Sequence, residues 1–198
     1  MSSVPDTAVP KRVTDRIRPF LWPVLAIAGV VIAGCSQATW GYSDQGAQLE
    51  VSGLGGVDAK AAATADVAAA FGAHTHRPAL VTLILGVVIA LVALLAWWKP
   101  IRRNRIAVLG AAAVIAAAGV ATVVVAAVTV ADPATHLFDA AVIDAIDTPG
   151  PLLDAGWGAI ATLVLGLLTV VVALTAAVLQ WPVLTNSRRD RTPVSARG

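Results

Sequence analysis

The chain has 198 residues, of which 58% are hydrophobic and 13% charged, with a formal net charge of +2 and a mean hydropathy of +0.79. Soluble domains carry about 25% charged residues, so this composition excludes a soluble domain, whose core would have no room for so much apolar surface. The single cysteine excludes an intrachain disulfide.

Four apolar segments follow one another along the chain. The second one, from Pro78 to Trp98, contains no charged residue. As a helix it is about 31 Å long, which matches the hydrocarbon core of a bilayer. The pattern predicts an all-α membrane protein, a bundle of four transmembrane helices. The predicted spans are 19–42, 78–98, 106–131 and 157–181.

Two loops, 43–77 and 132–156, separate these spans, and both are expected to hold short helices. In the first loop, the alternation from Gln48 to Gly53 is typical of a short strand. Asp58 then caps an Ala-rich helix that reaches Phe71. In the second loop, apolar residues from Leu137 to Ile146 recur at helical spacing.

The positions of the charges predict the topology. The tails 1–18 and 183–198 and the turn 99–105 hold twelve of the fourteen lysines and arginines, whereas the two loops hold nine of the twelve acids. Basic segments stay in the cytoplasm, so both chain ends are predicted inside and both loops outside a plasma membrane. Anionic membrane lipids account for the basic residues without any nucleic acid.

Two spans carry small residues at helical spacing, which predicts close helix contacts in lipid. These predicted helix-packing residues are Gly110, Ala113 and Ala117 in the third span, and Gly158, Thr162 and Gly166 in the fourth. Such stripes also favour a protein partner in a larger assembly or a homo-oligomer.

The spans lack charged side chains and histidines, which argues against an ion-coupled transporter. Neither a catalytic arrangement nor a cofactor motif is present, so a non-enzyme without cofactor is predicted. His74, His76 and His136 lie in the loops and are interpreted as solvated residues, with a zinc or copper site as the open alternative. The five aspartates of the second loop follow no known cation-binding spacing.

Cys35 ends the stretch Val31-Ile32-Ala33-Gly34-Cys35, which is similar to the small-residue box of a bacterial lipoprotein signal. In that hypothesis residues 1–34 are cleaved, and Cys35 carries lipid at the outer face above three further spans. The alternative keeps the first helix and leaves Cys35 as a buried, inert thiol.

The layout from 19 to 182 resembles small four-span actinobacterial membrane proteins known as tryptophan-biosynthesis-associated membrane proteins. The resemblance rests on Trp40, Val51-Ser52-Gly53, the basic turn, and Trp157 with Trp181-Pro182. Accessory subunits of actinobacterial envelope machines, such as lipid importers of the mammalian-cell-entry type, have a comparable layout. The resemblance implies no catalytic chemistry. We therefore expect a non-catalytic accessory subunit of an envelope complex, with a permease or binding protein for a small apolar or aromatic molecule as the alternative.

Overall fold

The computed structural model describes residues 13–44, 48–59, 65–140, 143 and 153–179. The tail residues 1–12 and 180–198, with the end of the fourth predicted span, lie outside this description, as does most of the helix predicted up to Ile146. The described helices are α1 (Val13–Cys35), α2 (Ala65–Gly72), α3 (Pro78–Trp97), α4 (Lys99–Arg103), α5 (Arg105–Ala131), α6 (Pro133–Leu137) and α7 (Trp157–Val178). The described strands are β1 (Thr39–Tyr42), β2 (Leu49–Ser52), β3 (Val57–Ala59) and β4 (Asp154–Ala155).

The four long helices α1, α3, α5 and α7 form an antiparallel bundle in which each one packs against two neighbours. Three of them, α3, α5 and α7, are long and apolar enough to cross a membrane. Leucine, isoleucine and valine side chains cover much of their outward faces, as a lipid environment requires. The chain therefore has the architecture of a membrane protein.

α1 has a shorter apolar part, from Phe20 to Cys35. Its inward residues Trp22, Leu25 and Ile32 nevertheless belong to the same core as Ile89 of α3 and Ile115 of α5. α1 thus lies beside the other three helices at the same level of the bundle.

The backbones of α1 and α3 approach each other closely at two glycines. A Cβ atom on Gly29 would lie 2.6 Å from the Gly86 carbonyl oxygen and 2.6 Å from the Ala90 nitrogen. Conversely, a Cβ on Gly86 would lie 2.7 Å from the Gly29 oxygen and 2.8 Å from the Ala33 nitrogen. Glycine at both positions is what allows the two backbones to touch, as small residues do in membrane bundles.

A hairpin joins α3 to α5 through α4, and local residues explain where α4 and α5 begin. Pro100 lies in the first turn of α4, where its missing N–H costs little. Asn104 then caps α5, because its Oδ1 accepts a hydrogen bond from the Ala107 N–H at 3.4 Å.

The chain is mostly helical, as predicted, but it is not all-α, because the opposite end of the bundle also holds a four-stranded antiparallel sheet. Its strand order is β3-β2-β1-β4, so the strand that precedes α7 pairs with the strand that follows α1. The short strand predicted near residues 48–53 is confirmed as β2. Asp58 lies in β3 rather than at a helix start, and the first loop's helix begins at Ala65.

The first predicted span, 19–42, is also corrected. Its helix begins earlier, at Val13, and ends at Cys35, after which the chain turns and enters β1. The turn forms because Gln37 and Ala38 donate to the carbonyls of Gly34 and Cys35, three residues back. β-Branched and aromatic residues such as Thr39, Trp40 and Tyr42 then favour a strand.

Candidate functional site

The sheet and the segments packed on it form a cap, which we define by β1–β4, α2 and α6. Trp40 lies at its centre and is fully buried. The indole Nε1 donates a 3.0 Å hydrogen bond to the Cys35 carbonyl oxygen, so the side chain fastens the sheet to the end of α1. The surrounding core residues come from both loops and from the starts of α3 and α7: Val51, Ala79, Leu137, Phe138, Leu153 and Ala159.

Glycines let the cap approach the bundle closely. Gly156 donates its N–H to the Trp40 carbonyl at 2.8 Å, and a Cβ on Gly156 would overlap the backbone of Thr39. A Cβ on Gly158 would lie 2.9 Å from the Thr39 oxygen and 3.1 Å from the Trp40 indole. The first turn of α7 is therefore packed against β1 without intervening side chains.

The two loops also meet directly at a second place. Thr75 and Phe138 form an antiparallel bridge, in which His76 donates its backbone N–H to Leu137 and Asp139 donates to His74, at 2.9 and 3.1 Å. Phe138 is buried beneath this bridge and packs edge-to-face on Phe71 of α2, with ring centroids 5.5 Å apart. The cap is thus built from both loops as one unit.

Asp139 faces two of the three histidines singled out in the sequence. His76 Nε2 lies 3.0 Å from Asp139 Oδ1, and His74 Nδ1 lies 3.6 Å from Oδ2. All three side chains are partly exposed. Among the described residues, no group of three or more histidine, cysteine or acidic side chains is arranged to hold a metal ion.

His136 lies apart from this pair, on α6, and acts on Asp132. Hydrogen bonds from the Thr135 hydroxyl and backbone N–H, at 2.6 and 3.3 Å, lower the pKa of Asp132, and the charge of His136 adds to this. A carboxylate with a depressed pKa stabilises the fold at neutral pH and loses that contribution as the pH falls through the lowered value. Asp132 therefore stays ionised as the N-cap of α6 under ordinary conditions.

Four polar side chains form a row across the outer face of the sheet. Asp58 pairs with Glu50, Glu50 with Tyr42, and Tyr42 with Asp154, and paired residues share a face. The opposite face carries Val51 and Gly41, which pack inward against the second loop. The cap consequently turns a polar, acidic surface away from its own core.

The structure divides the six predicted helix-packing residues into two groups. In α7, Gly158, Thr162 and Gly166 are buried, and a Cβ on Gly166 would lie 2.9 Å from the Val123 side chain of α5. In α5, Gly110, Ala113 and Ala117 are exposed on the outward face, and Gly110 has open space around it. Within this chain α5 packs through a different face, and a packing role for these three residues toward a partner stays a prediction. Its packing face carries Ala112, Ile115, Ala118, Gly119 and Thr122.

The bundle interior contains buried hydroxyls whose hydrogen bonds are satisfied. Ser36 Oγ and Thr82 Oγ1 lie 3.0 Å apart between the end of α1 and α3. When one hydroxyl donates to the other, the second donates to a backbone carbonyl, that of Ile32 for Ser36 or that of Ala79 for Thr82. No buried side-chain nitrogen or oxygen lacks a partner in the described part of the chain. Within that part, all buried polar side chains are hydroxyls: Ser36, Thr82, Thr122, Thr129, Thr162 and Thr169.

Cys35, the candidate lipidation residue, is a buried free thiol at the end of α1. Its carbonyl oxygen accepts from both Trp40 and Ala38, so the residue is part of the joint between bundle and cap. Cleavage before Cys35 would remove Trp22, Leu25 and Ile32 from the core. Whether residues 1–34 are cleaved and Cys35 carries lipid stays a prediction.

Sequence reasoning missed Trp40 as a cap residue and the pair Gly29–Gly86. Trp40 was missed because an aromatic residue is also expected where a spanning helix reaches the membrane interface. The two glycines were missed because each is a single small residue, outside any repeated small-residue pattern. Comparison of the chain with protein-family models, curated proteins and solved structures finds no match in any of the three.

Proposed function

We propose that this chain is a non-catalytic, four-span protein of the plasma membrane whose cap is the docking element for a partner in an envelope complex. Both chain ends lie in the cytoplasm and the cap lies outside. The basic turn 99–105 and the acidic cap at opposite ends of the bundle support this orientation. α1 shares one core with α3, α5 and α7, which supports the proposal that α1 also crosses the membrane as the fourth span.

The observation that carries the proposal is the construction of the cap. Both loops contribute strands to one sheet, its inner face belongs to a continuous core, and its outer face presents the row from Asp58 to Asp154. A surface held by a sheet and a buried tryptophan is pre-organised, which lowers the cost of ordering on binding. These features suit a fixed platform for another protein.

The bundle itself favours a static role. Buried hydroxyls bond along their own helices, and the backbones of α1 and α3 touch at Gly29 and Gly86. A permease would have to separate these helices to admit a molecule between them. The permease hypothesis is therefore less well supported than the hypothesis of an accessory subunit.

Site-specific photocrosslinking in native membranes tests the proposal. A photoreactive phenylalanine analogue replaces Asp154 on the outer row, and a matched variant carries it at Val171, which is exposed on the lipid-facing side of α7. We expect the variant at 154 to capture one recurrent protein, identified by mass spectrometry. The variant at 171 should give lipid adducts instead. The proposal fails if crosslinking at 154 and at Asp58 recovers no recurrent protein and the solubilised chain runs alone.

A further inference from the structure

The two loops are joined by side chains as well as by the backbone bridge at Thr75 and Phe138. The side chains are those of His74, His76 and Asp139. The histidines come from the segment between α2 and α3, whereas Asp139 follows α6. The contacts are 3.0 Å for His76 and 3.6 Å for His74, on different oxygens of one carboxylate. One acid thus faces two imidazoles from the opposite loop.

Arg77, Asp132 and His136 are charged or titratable groups of the neighbouring segments. The Arg77 side chain lies over the turn between β2 and β3, where a Cβ on Gly55 would be 3.2 Å from its Cγ. Asp132 accepts two hydrogen bonds from Thr135 and interacts with His136. From the elements packed here, His74 and His76 are the titratable side chains within ion-pair distance of Asp139 among the described residues.

We propose that His74, His76 and Asp139 form a proton-operated clasp, which holds the two loops of the cap together more tightly at mildly acidic than at neutral pH. Histidine is the side chain whose charge ordinarily changes between about pH 5 and 8. When the imidazoles are neutral, the His76 contact is an ordinary hydrogen bond. Protonation adds charge opposite the carboxylate, and charge-assisted hydrogen bonds are stronger.

The direction follows from proton linkage. Closure brings one carboxylate within 3.0 Å of the His76 ring and 3.6 Å of the His74 ring, so a positive charge on either ring is attracted in the closed cap and loses that attraction when the loops part. Protons added at lower pH therefore favour closure. Because the side chains are partly exposed, the effect is modest. Exposed ion pairs change an equilibrium by about twofold to fivefold. The clasp does not depend on the proposed function, since it concerns only how the two loops are joined.

Amide hydrogen exchange on the full chain in detergent tests the clasp. The backbone N–H groups of His76 and Asp139 donate across the loop junction, so their exchange reports its opening. Protection factors are compared at pH 5.5 and 7.5, which removes the intrinsic pH dependence of exchange. We expect about twofold to fivefold higher protection at pH 5.5.

Three variants separate the clasp from general effects of pH. Asp139→Asn keeps a hydrogen-bonding side chain but removes the charge, and should abolish the difference between the two pH values. The double variant His74→Gln with His76→Gln should abolish it as well, whereas His136→Gln should leave it unchanged. Equal protection at both pH values in the unaltered chain would overturn the proposal. So would a wild-type pH difference in Asp139→Asn or in the double variant.

Discussion

Replacing Gly86 by alanine is expected to destabilise the bundle by about 1–3 kcal/mol, the usual cost of overpacking a well-packed core. The added Cβ would meet the Gly29 oxygen at 2.7 Å and the Ala33 nitrogen at 2.8 Å. Both atoms are backbone, so only a shift of the whole helix relieves the overlap. Thermal unfolding in detergent should show a lower midpoint, by about 2–4 °C for each kcal/mol.

Other glycines of the chain provide matched controls. Gly34→Ala and Gly110→Ala introduce the same methyl group into open space and should be neutral or stabilising by up to about 1 kcal/mol. Gly29→Ala should resemble Gly86→Ala, and the double variant should cost less than the sum, because one helix displacement relieves both overlaps. If Gly86→Ala unfolds like Gly34→Ala, the backbone contact between α1 and α3 does not exist.

Trp40→Ala should open the cap while leaving the bundle helical. Loss of a buried tryptophan costs about 3–5 kcal/mol, and this side chain also provides the hydrogen bond to the Cys35 carbonyl. The long helices α3, α5 and α7 keep their own backbone hydrogen bonds, so circular dichroism should change little. Cys35, which is 9% exposed and the chain's one cysteine, should become reactive toward a small maleimide.

Two further tryptophan variants serve as controls for the labelling of Cys35 in Trp40→Ala. Trp98→Ala removes a side chain that is 64% exposed and should leave Cys35 protected. Trp40→Phe keeps most of the ring volume but loses the Nε1 donor, so it should give an intermediate rate of labelling. Unchanged protection of Cys35 in Trp40→Ala would show that the tryptophan does not hold the cap on the bundle.

Hydrophobic patterning was sufficient to predict the long helices and insufficient to predict the cap. The uncharged runs after Pro78, Arg105 and Trp157 become α3, α5 and α7, because apolar runs of that length favour a helix that satisfies its own backbone. Thr39, Trp40 and Tyr42 favour a strand, but aromatic residues at the end of an apolar run suit the interfacial end of a spanning helix equally well. β4 has two residues, and its pairing with β1 depends on a contact distant in sequence.

The helix-packing residues show the same limit of prediction from hydrophobic patterning. α5 is small-residue-rich all round, so composition identifies the helix without selecting the face, and Ala112 and Gly119 point inward while Gly110 and Ala113 point outward. In α7 the small residues form one stripe between larger ones, and Gly166 of this stripe is buried. His74 and His76 were recognised as loop residues, but their contact with Asp139 depends on the bridge between Thr75 and Phe138.

We propose that two loops from different parts of the chain meet outside the membrane above a four-span bundle. Single cysteines at Asp58, Asp154 and Asn104, in a Cys35→Ala background, are probed in intact cells with a membrane-impermeant maleimide. Because β3 and β4 belong to one sheet at the end of the bundle opposite Asn104, positions 58 and 154 should label from outside. Position 104 should label only after permeabilisation. Labelling of 104 in intact cells, or of 58 without 154, would contradict the account.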